Sequence, residues 1–134
     1  MKEFQGKTLS WTTANGTVEL ALHREPGNEI GSETLLELER LSILLASLDE
    51  TTHALIIYSK LPGSFCAGAD LRELYERMQA LSPEKRLEGV RDFLERIHRV
   101  MNEIDAAPIT TIAAVPVSYT HLDVYKRQDS HRSA

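Results

Sequence analysis

Cysteine is nearly absent: Cys66 is the only one among 134 residues. A lone thiol excludes an internal disulfide framework and supplies no pair for a metal knuckle, so no metal site is expected. As a nucleophile it would need a base close by, and the sequence assigns none; the plainer reading is a small packing residue. Cations are also in deficit, 15 Lys and Arg against 20 Asp and Glu, for a net charge of -5. Phosphate backbones are gripped by clustered Lys and Arg, and no basic stripe is visible, which argues against a nucleic-acid partner. No apolar run approaches the ~20 residues of a membrane span, and the polar, charged first residues do not resemble a secretory signal. The expectation is a cytoplasmic protein with no nucleic-acid or membrane partner. Glycine is scarce, seven in all with none after Gly89. No period of about twenty to fifty residues marks a repeat array.

What is present is ordinary for one soluble domain, with 42% hydrophobic and 26% charged residues. Residues 8–13 and 17–22 alternate and are rich in Thr and Val, with Asn15-Gly16 between them, a strong hairpin signal. After the turn at Pro26-Gly27-Asn28, Ser32 is a plausible cap for a helix whose Leu35, Leu38, Leu41, Leu45 and Leu48 recur three and four apart. Residues 55–58, Leu-Ile-Ile-Tyr, read as a short strand buried on both sides in a parallel sheet. Strand, helix and strand in that order imply a right-handed crossover. Leu71, Leu74, Tyr75 and Met78 then predict a short helix, and Ser82-Pro83 starts a longer one. Its apolar members are Leu87, Val90, Leu94, Ile97, Met101 and Ile104, with Glu88, Arg91, Asp92, Glu95 and Arg99 on the wetter side. The fold class is α/β.

Between the strand at 55–58 and the helix near 71 lies Ser64-Phe65-Cys66-Ala67-Gly68-Ala69-Asp70-Leu71-Arg72. Ala67, Gly68 and Ala69 have almost no side chain, so a ligand can approach the main chain closely. The helix that starts near Asp70 adds a positive dipole end, a setting that suits a developing oxyanion. The same residues also fit a tight strand-to-helix connection in which Asp70 is simply a helix cap.

Phe65-Cys66-Ala67-Gly68-Ala69-Asp70-Leu71 resembles the first signature of the crotonase superfamily, the enoyl-CoA hydratases and isomerases. Leu20-Ala21-Leu22-His23-Arg24-Glu25-Pro26-Gly27-Asn28-Glu29-Ile30 is similar to that family's opening strand and its Arg-Pro-x-x-x-Asn-Ala loop. Pro108-Ile109-Thr110-Thr111-Ile112-Ala113-Ala114-Val115 resembles the strand before its second signature. The likeness covers roughly residues 8–115 in colinear order. It implies a crotonase-like fold of repeated β-β-α units, truncated here to a mainly parallel sheet with an N-terminal hairpin. It also implies chemistry on acyl-CoA thioesters through an oxyanion hole of two backbone N–H groups, with coenzyme A as part of the substrate and no prosthetic group.

By this resemblance Ala69 supplies the first N–H donor. Ala67 and Gly68 line the coenzyme through their main chain, beside Asp70 and Leu71. Arg72 matches a position where the family often has a cation near the coenzyme phosphates; the alternative is a solvated first-turn arginine. Asn28 and Glu29 fall where the family has Asn-Ala beside the coenzyme. The loop is one residue shorter, and a carboxylate at 29 would repel phosphates if it pointed inward. Glu73 and Glu76 read as surface residues.

The family's next element is a Gly-containing turn that supplies the second donor, with the acid and base carboxylates beyond it. Here Val115 is followed by Pro116-Val117-Ser118-Tyr119-Thr120-His121-Leu122-Asp123-Val124-Tyr125-Lys126-Arg127-Gln128, which resembles translated sequencing-adaptor read-through. The expectation is a crotonase-like portion over 1–115, a non-native tail over 116–134, and a chain inactive by itself. A real edge strand through Val117, Tyr119 and His121 is the alternative. With so little partner surface, apolar faces and sheet edges would stay open, which predicts poor solubility. The full-length family assembles as trimers or hexamers. A noncatalytic crotonase-like module that binds acyl-CoA or a protein is the second functional reading.

Overall fold

The first 22 positions build a ribbon of three antiparallel strands, β1 (Glu3–Gln5), β2 (Leu9–Ala14) and β3 (Thr17–Leu22). The computed structural model describes residues 2–116. Asn15 at φ 52 and Gly16 at φ 76 supply the two left-handed positions that a two-residue hairpin turn requires, so β2 and β3 pair from Ala14↔Thr17 to Leu9↔Leu22. The short β1 carries no signal in the sequence reading. It is held by its ladder to β2 and by the Phe4 ring stacked on Trp11 at 4.4 Å between centroids.

β4 (Ala54–Ser59) and β5 (Thr110–Ala114) complete a sheet of order β1-β2-β3-β4-β5. The pairs β3·β4 and β4·β5 are parallel. The parallel character expected of the sheet therefore begins at β3, and the ribbon before it is antiparallel. Helix α1 (Ser32–Ala46) connects β3 to β4, and α2 (Leu71–Gln79) and α3 (Pro83–Ala106) connect β4 to β5.

Alternation along each strand puts Leu9, Trp11, Val18, Leu20, Leu55 and Ile57 on one face of the sheet. Leu35, Leu38, Leu41 and Leu45 of α1 meet that face, joined by Leu74 and Met78 of α2 and by Phe93 and Val100 of α3 in one hydrophobic cluster. Only Leu55 of β4 is fully buried, whereas Ile56, Ile57 and Tyr58 are half-buried. The expected burial on both sides is not met, because all three helices contribute to the cluster on the Leu55 face. No described helix is long and apolar enough to cross a membrane.

Helix α3 differs from its expected phase. Phe93 and Val100 are buried, with Val90, Ile97 and Ile104 packed partly against the cluster, while Leu87, Leu94 and Met101 stay exposed. Positions 87, 94 and 101 are seven apart and share one line along a helix; here that line is open at Leu87 and Leu94, while Met101 at its end borders a cavity against the sheet. Helix starts follow local chemistry at two of three sites: Asp70 caps α2 by accepting from Glu73 N at 3.0 Å, and Ser82 caps α3 with Pro83 behind it. At α1 the cap residue is Gly31 instead of Ser32, and its amides are served from elsewhere. The tail from Val117 onward, including the alternative strand, lies outside the described residues.

Candidate functional site

The bend at 65–70 is held against the loop that follows β3. Asn28 is the pin. It is buried at φ 56, a left-handed value that Asn tolerates better than most residues. Its Oδ1 accepts from Arg24 N at 2.8 Å, and its Nδ2 donates to Ser59 Oγ at 2.9 Å and to the Phe65 carbonyl at 2.8 Å. One side chain thereby ties the loop, the end of β4 and the start of the bend together. Ala67 N donates to Gly27 O at 2.9 Å and adds a second tie.

Ile30 and Ala69 then form an isolated parallel bridge, in which Ile30 N donates to Gly68 O at 2.8 Å and Asp70 N donates to Ile30 O at 2.9 Å. A trans peptide carries its C=O and N–H on opposite edges. Because the Gly68 carbonyl is turned to Ile30, the Ala69 N–H of the same peptide is turned away from it. Among the described residues nothing accepts from that N–H. Gly68 sits at φ +88, and nothing lies within 4 Å of where a Cβ would be, so backbone conformation rather than space demands glycine there. Ala67 and Gly68 are exposed. Ala69 itself is half-buried against the hydrophobic cluster, so the bend offers an unpaired amide next to two exposed small residues, and a preorganised amide of this kind can stabilise negative charge on an approaching oxygen.

Charged groups frame the bend. Arg24 Nη2 meets Asp70 Oδ2 at 2.6 Å, and Arg24 Nη1 donates to Glu29 O at 2.5 Å. The Glu73 amide holds the Asp70 carboxyl below the usual carboxylate range; burial acts the other way, and Arg24 and Arg72 reinforce the lowering. Both Asp70 oxygens are thus engaged by the protein. Glu73 accepts from Ser32 N at 3.0 Å and also from Ser32 Oγ, so it caps α1 from the neighbouring helix. This corrects the expectation that Glu73 is a surface residue; Glu76 is exposed. A Cβ at Gly31 would collide with the Glu73 carboxylate and crowd Arg24 Nη1, so a side chain there would have to displace this cap.

The remaining expected coenzyme contacts are Leu71 and Arg72, both exposed on the first turn of α2, and Glu29, half-buried with its carboxylate over Gly27. Behind the bend lies an apolar cavity of about 230 Å³ between sheet and helices. Phe65 and Cys66 bring the bend to its wall, which they share with Leu22, Met101 and Ala113. Cys66 Sγ lies 3.3 Å from the Asn28 carbonyl.

Methylglutaconyl-CoA hydratase, mitochondrial, of Mus musculus is 36% identical over 100 residues, 75% of this chain and 29% of that protein. Enoyl-CoA hydratase domain-containing protein 2, mitochondrial, also of Mus musculus, is 35% identical over 101 residues, 75% of this chain and 31% of that protein. The crystal structure of an enoyl-CoA hydratase from Bacillus anthracis matches with a TM-score of 0.65 at 26% identity, covering 81% of this chain and 40% of that one. The chain belongs to the crotonase superfamily. Pseudomonas aeruginosa AtuE shares the fold, with a TM-score of 0.68 at 23% identity over 80% of this chain and 39% of that one. No family model matches the chain. The chain spans about three-tenths of the length of the curated relatives it matches.

In this crotonase-superfamily chain, the polar links Arg24–Asp70 and Glu73–Ser32 are what sequence reasoning missed. The partners stand 46 and 41 positions apart, beyond any helical or strand period. The only local signal was Asp70 followed three residues later by Glu73, the spacing of a capping pair.

Proposed function

We propose that the Ala69 N–H is one donor of a two-donor oxyanion hole for acyl-CoA thioesters, in an enzyme of the enoyl-CoA hydratase and isomerase type. The observation that carries this reading is the orientation of one peptide. Its carbonyl is committed to Ile30, which leaves the amide of the half-buried Ala69 unpaired beside the exposed Ala67 and Gly68. A thioester oxygen placed there gains charge as an enolate-like state develops. A fixed donor strengthens its bond as that charge grows, and losing one such donor costs about 3 to 4 kcal/mol of barrier.

The chain's residues then divide by role. Ala67 and Gly68 let the coenzyme pass close to the main chain, Leu71 flanks it, and Arg72 reaches toward its phosphates from the exposed first turn of α2. Asn28 and Asp70 hold the bend from behind, and Glu29 sits at its margin. No residue of 1–115 is assigned as the second donor or as the acid and base carboxylates. Coenzyme A enters as part of the substrate. The complete enzyme assembles as a trimer or a hexamer.

The test is a titration of the ¹⁵N-labelled chain with butyryl-CoA and, separately, with S-butyl-CoA, a thioether that keeps the nucleotide and lacks the carbonyl. The Ala69 amide resonance moves downfield with the thioester only. If both ligands move it equally, the chain holds the coenzyme without addressing the carbonyl, as the noncatalytic module would, and the oxyanion reading fails. If neither moves it, acyl-CoA binding at this bend fails as well.

A further inference from the structure

We propose that Arg24 is a positioning residue for the Ala69 amide: its guanidinium clamps the Ile30–Ala69 bridge from the side and so sets the direction of that N–H. This rests on the oxyanion reading for its purpose but not for its geometry. The bridge has two strands of backbone, 28–31 and 67–70, and Arg24 bonds one residue on each. Nη1 takes the carbonyl of Glu29, immediately before Ile30, and Nη2 takes the carboxylate of Asp70, immediately after Ala69. The two arms of one planar group therefore span the same gap as the two backbone hydrogen bonds. A guanidinium donates along fixed directions, which a flexible ammonium does not.

Neighbouring groups stiffen both ends of this clamp. Asp70 is held on its other oxygen by Glu73 N, and Glu73 in turn carries the first turn of α1 through Ser32. Arg24 itself is anchored in the chain by Asn28, which accepts from its amide while Asn28 N donates to its carbonyl at 2.8 Å. The Arg24 and Asp70 side chains are 28% and 15% exposed, so water competes weakly for the pair. Since the Gly68–Ala69 peptide is planar, any rotation that loosens Ile30 N from Gly68 O swings the Ala69 N–H by the same angle.

The proposal is tested on the isotope-labelled 134-residue chain and on its R24M, R24K and D70S variants. Serine at position 70 keeps a capping oxygen for α2 and removes the partner of Arg24. The first readout is the scalar coupling through the hydrogen bond from Ile30 ¹⁵N to the Gly68 carbonyl carbon. The second is hydrogen exchange at Ile30 and Asp70, with Leu20 and Leu41 as core references. The coupling is expected in the parent chain and lost in R24M and D70S. Exchange at Ile30, and at the amide of position 70 once corrected for the intrinsic rate of the residue there, rises by about tenfold or more while the core amides keep their rates. R24K behaves like R24M if the fork matters, and restoration by lysine would overturn the fork argument. Persistence of the coupling in R24M and D70S overturns the clamp outright. Should R24M not fold, D70S and R24K decide the matter.

A third readout separates this proposal from the reading beneath it. Butyryl-CoA carrying ¹³C at the thioester carbonyl shifts on binding to the parent chain, and the shift shrinks in D70S and R24M. No carbonyl shift in the parent chain, together with lost coupling in the variants, sinks the oxyanion reading and leaves the clamp standing. A full carbonyl shift in variants that keep their coupling sinks the clamp and leaves the reading standing.

Discussion

The hairpin with the inward leucine stripe of α1 and the layer of α3 with β5 are both rich in apolar residues, yet the first is closed, with only Leu36 and Ile43 left on the outer side of α1, and the second is closed only where Phe93 and Val100 pack. Leu9, Val18, Leu20, Leu35, Leu41 and Leu55 are all 1% exposed or less. Every residue of β5 is exposed, Ile112 at 48%, and Leu87 and Leu94 stand exposed along α3. An amphipathic pattern states which residues can be buried; a partner surface decides which are. The bend that carries Ala69 stands between these regions, fastened on the closed side by Asn28, Ile30 and Arg24. Its direction is therefore set by the well-packed half.

Truncation in the closed region sets the scale of this contrast. Leu20→Ala and Leu41→Ala each lose about 2 to 5 kcal/mol by urea unfolding, through lost transfer energy and the cavity left behind. Leu94→Ala and Ile112→Ala, on the open side, stay within about 0.5 kcal/mol. Equal losses at the two sets would show that the open side is covered in solution.

Next in size is Glu37, an acid buried on the closed side. Its carboxylate accepts from Lys7 N at 2.7 Å, Thr8 N at 3.1 Å, Thr8 Oγ1 at 2.6 Å and Leu9 N at 3.0 Å, joining α1 to the β1–β2 turn. Glu37→Gln weakens these charge-assisted bonds and is expected to lose about 1.5 to 3 kcal/mol at pH 7. Burial by itself would raise this carboxyl, but the bonds from Thr8 and from the Lys7, Thr8 and Leu9 amides hold it below its ordinary 4.5. A lowered carboxyl stabilises the fold above its unfolded value, and that contribution disappears as pH falls through the folded one. The parent chain therefore loses its advantage over Glu37→Gln as unfolding is measured progressively below pH 4.5.

Gly68→Ala follows, at about 1 to 2 kcal/mol, from left-handed backbone strain alone, since no neighbour crowds the added carbon. The smallest effect on stability is at Leu94→Lys with Ile112→Lys. Unfolding midpoints barely move, and self-association seen by sedimentation falls because two open apolar surfaces are broken up, one on α3 and one on the sheet face away from the helices, where Ile112 pairs with Ile56. Unchanged association would place the sticky surface elsewhere.

These contrasts follow the reach of the signals along the chain. Asn15-Gly16, the leucine stripe of α1 and Ser82-Pro83 act over one to four residues, and each produced its element. The small-residue bend was legible because its chemistry is contiguous. β1 was not, since three residues carry no period of their own and its hold comes from Phe4 on Trp11. Glu37 lay hidden on a helix read for its leucines, because its amide partners are 28 to 30 positions away. In α3, Phe93 and Leu94 adjoin, and periodicity favoured the leucine row while packing took the phenylalanine. Arg24 and Asp70 met for the same reason: the fold, not the local sequence, brings them together.

The most direct measurement is a crystal structure of the chain with butyryl-CoA bound. The account predicts the thioester oxygen about 2.7 to 3.1 Å from Ala69 N, with the Gly68 carbonyl still bonded to Ile30. A thioester oxygen well beyond hydrogen-bond reach, or an Ala69 amide donating to the protein itself, would contradict it.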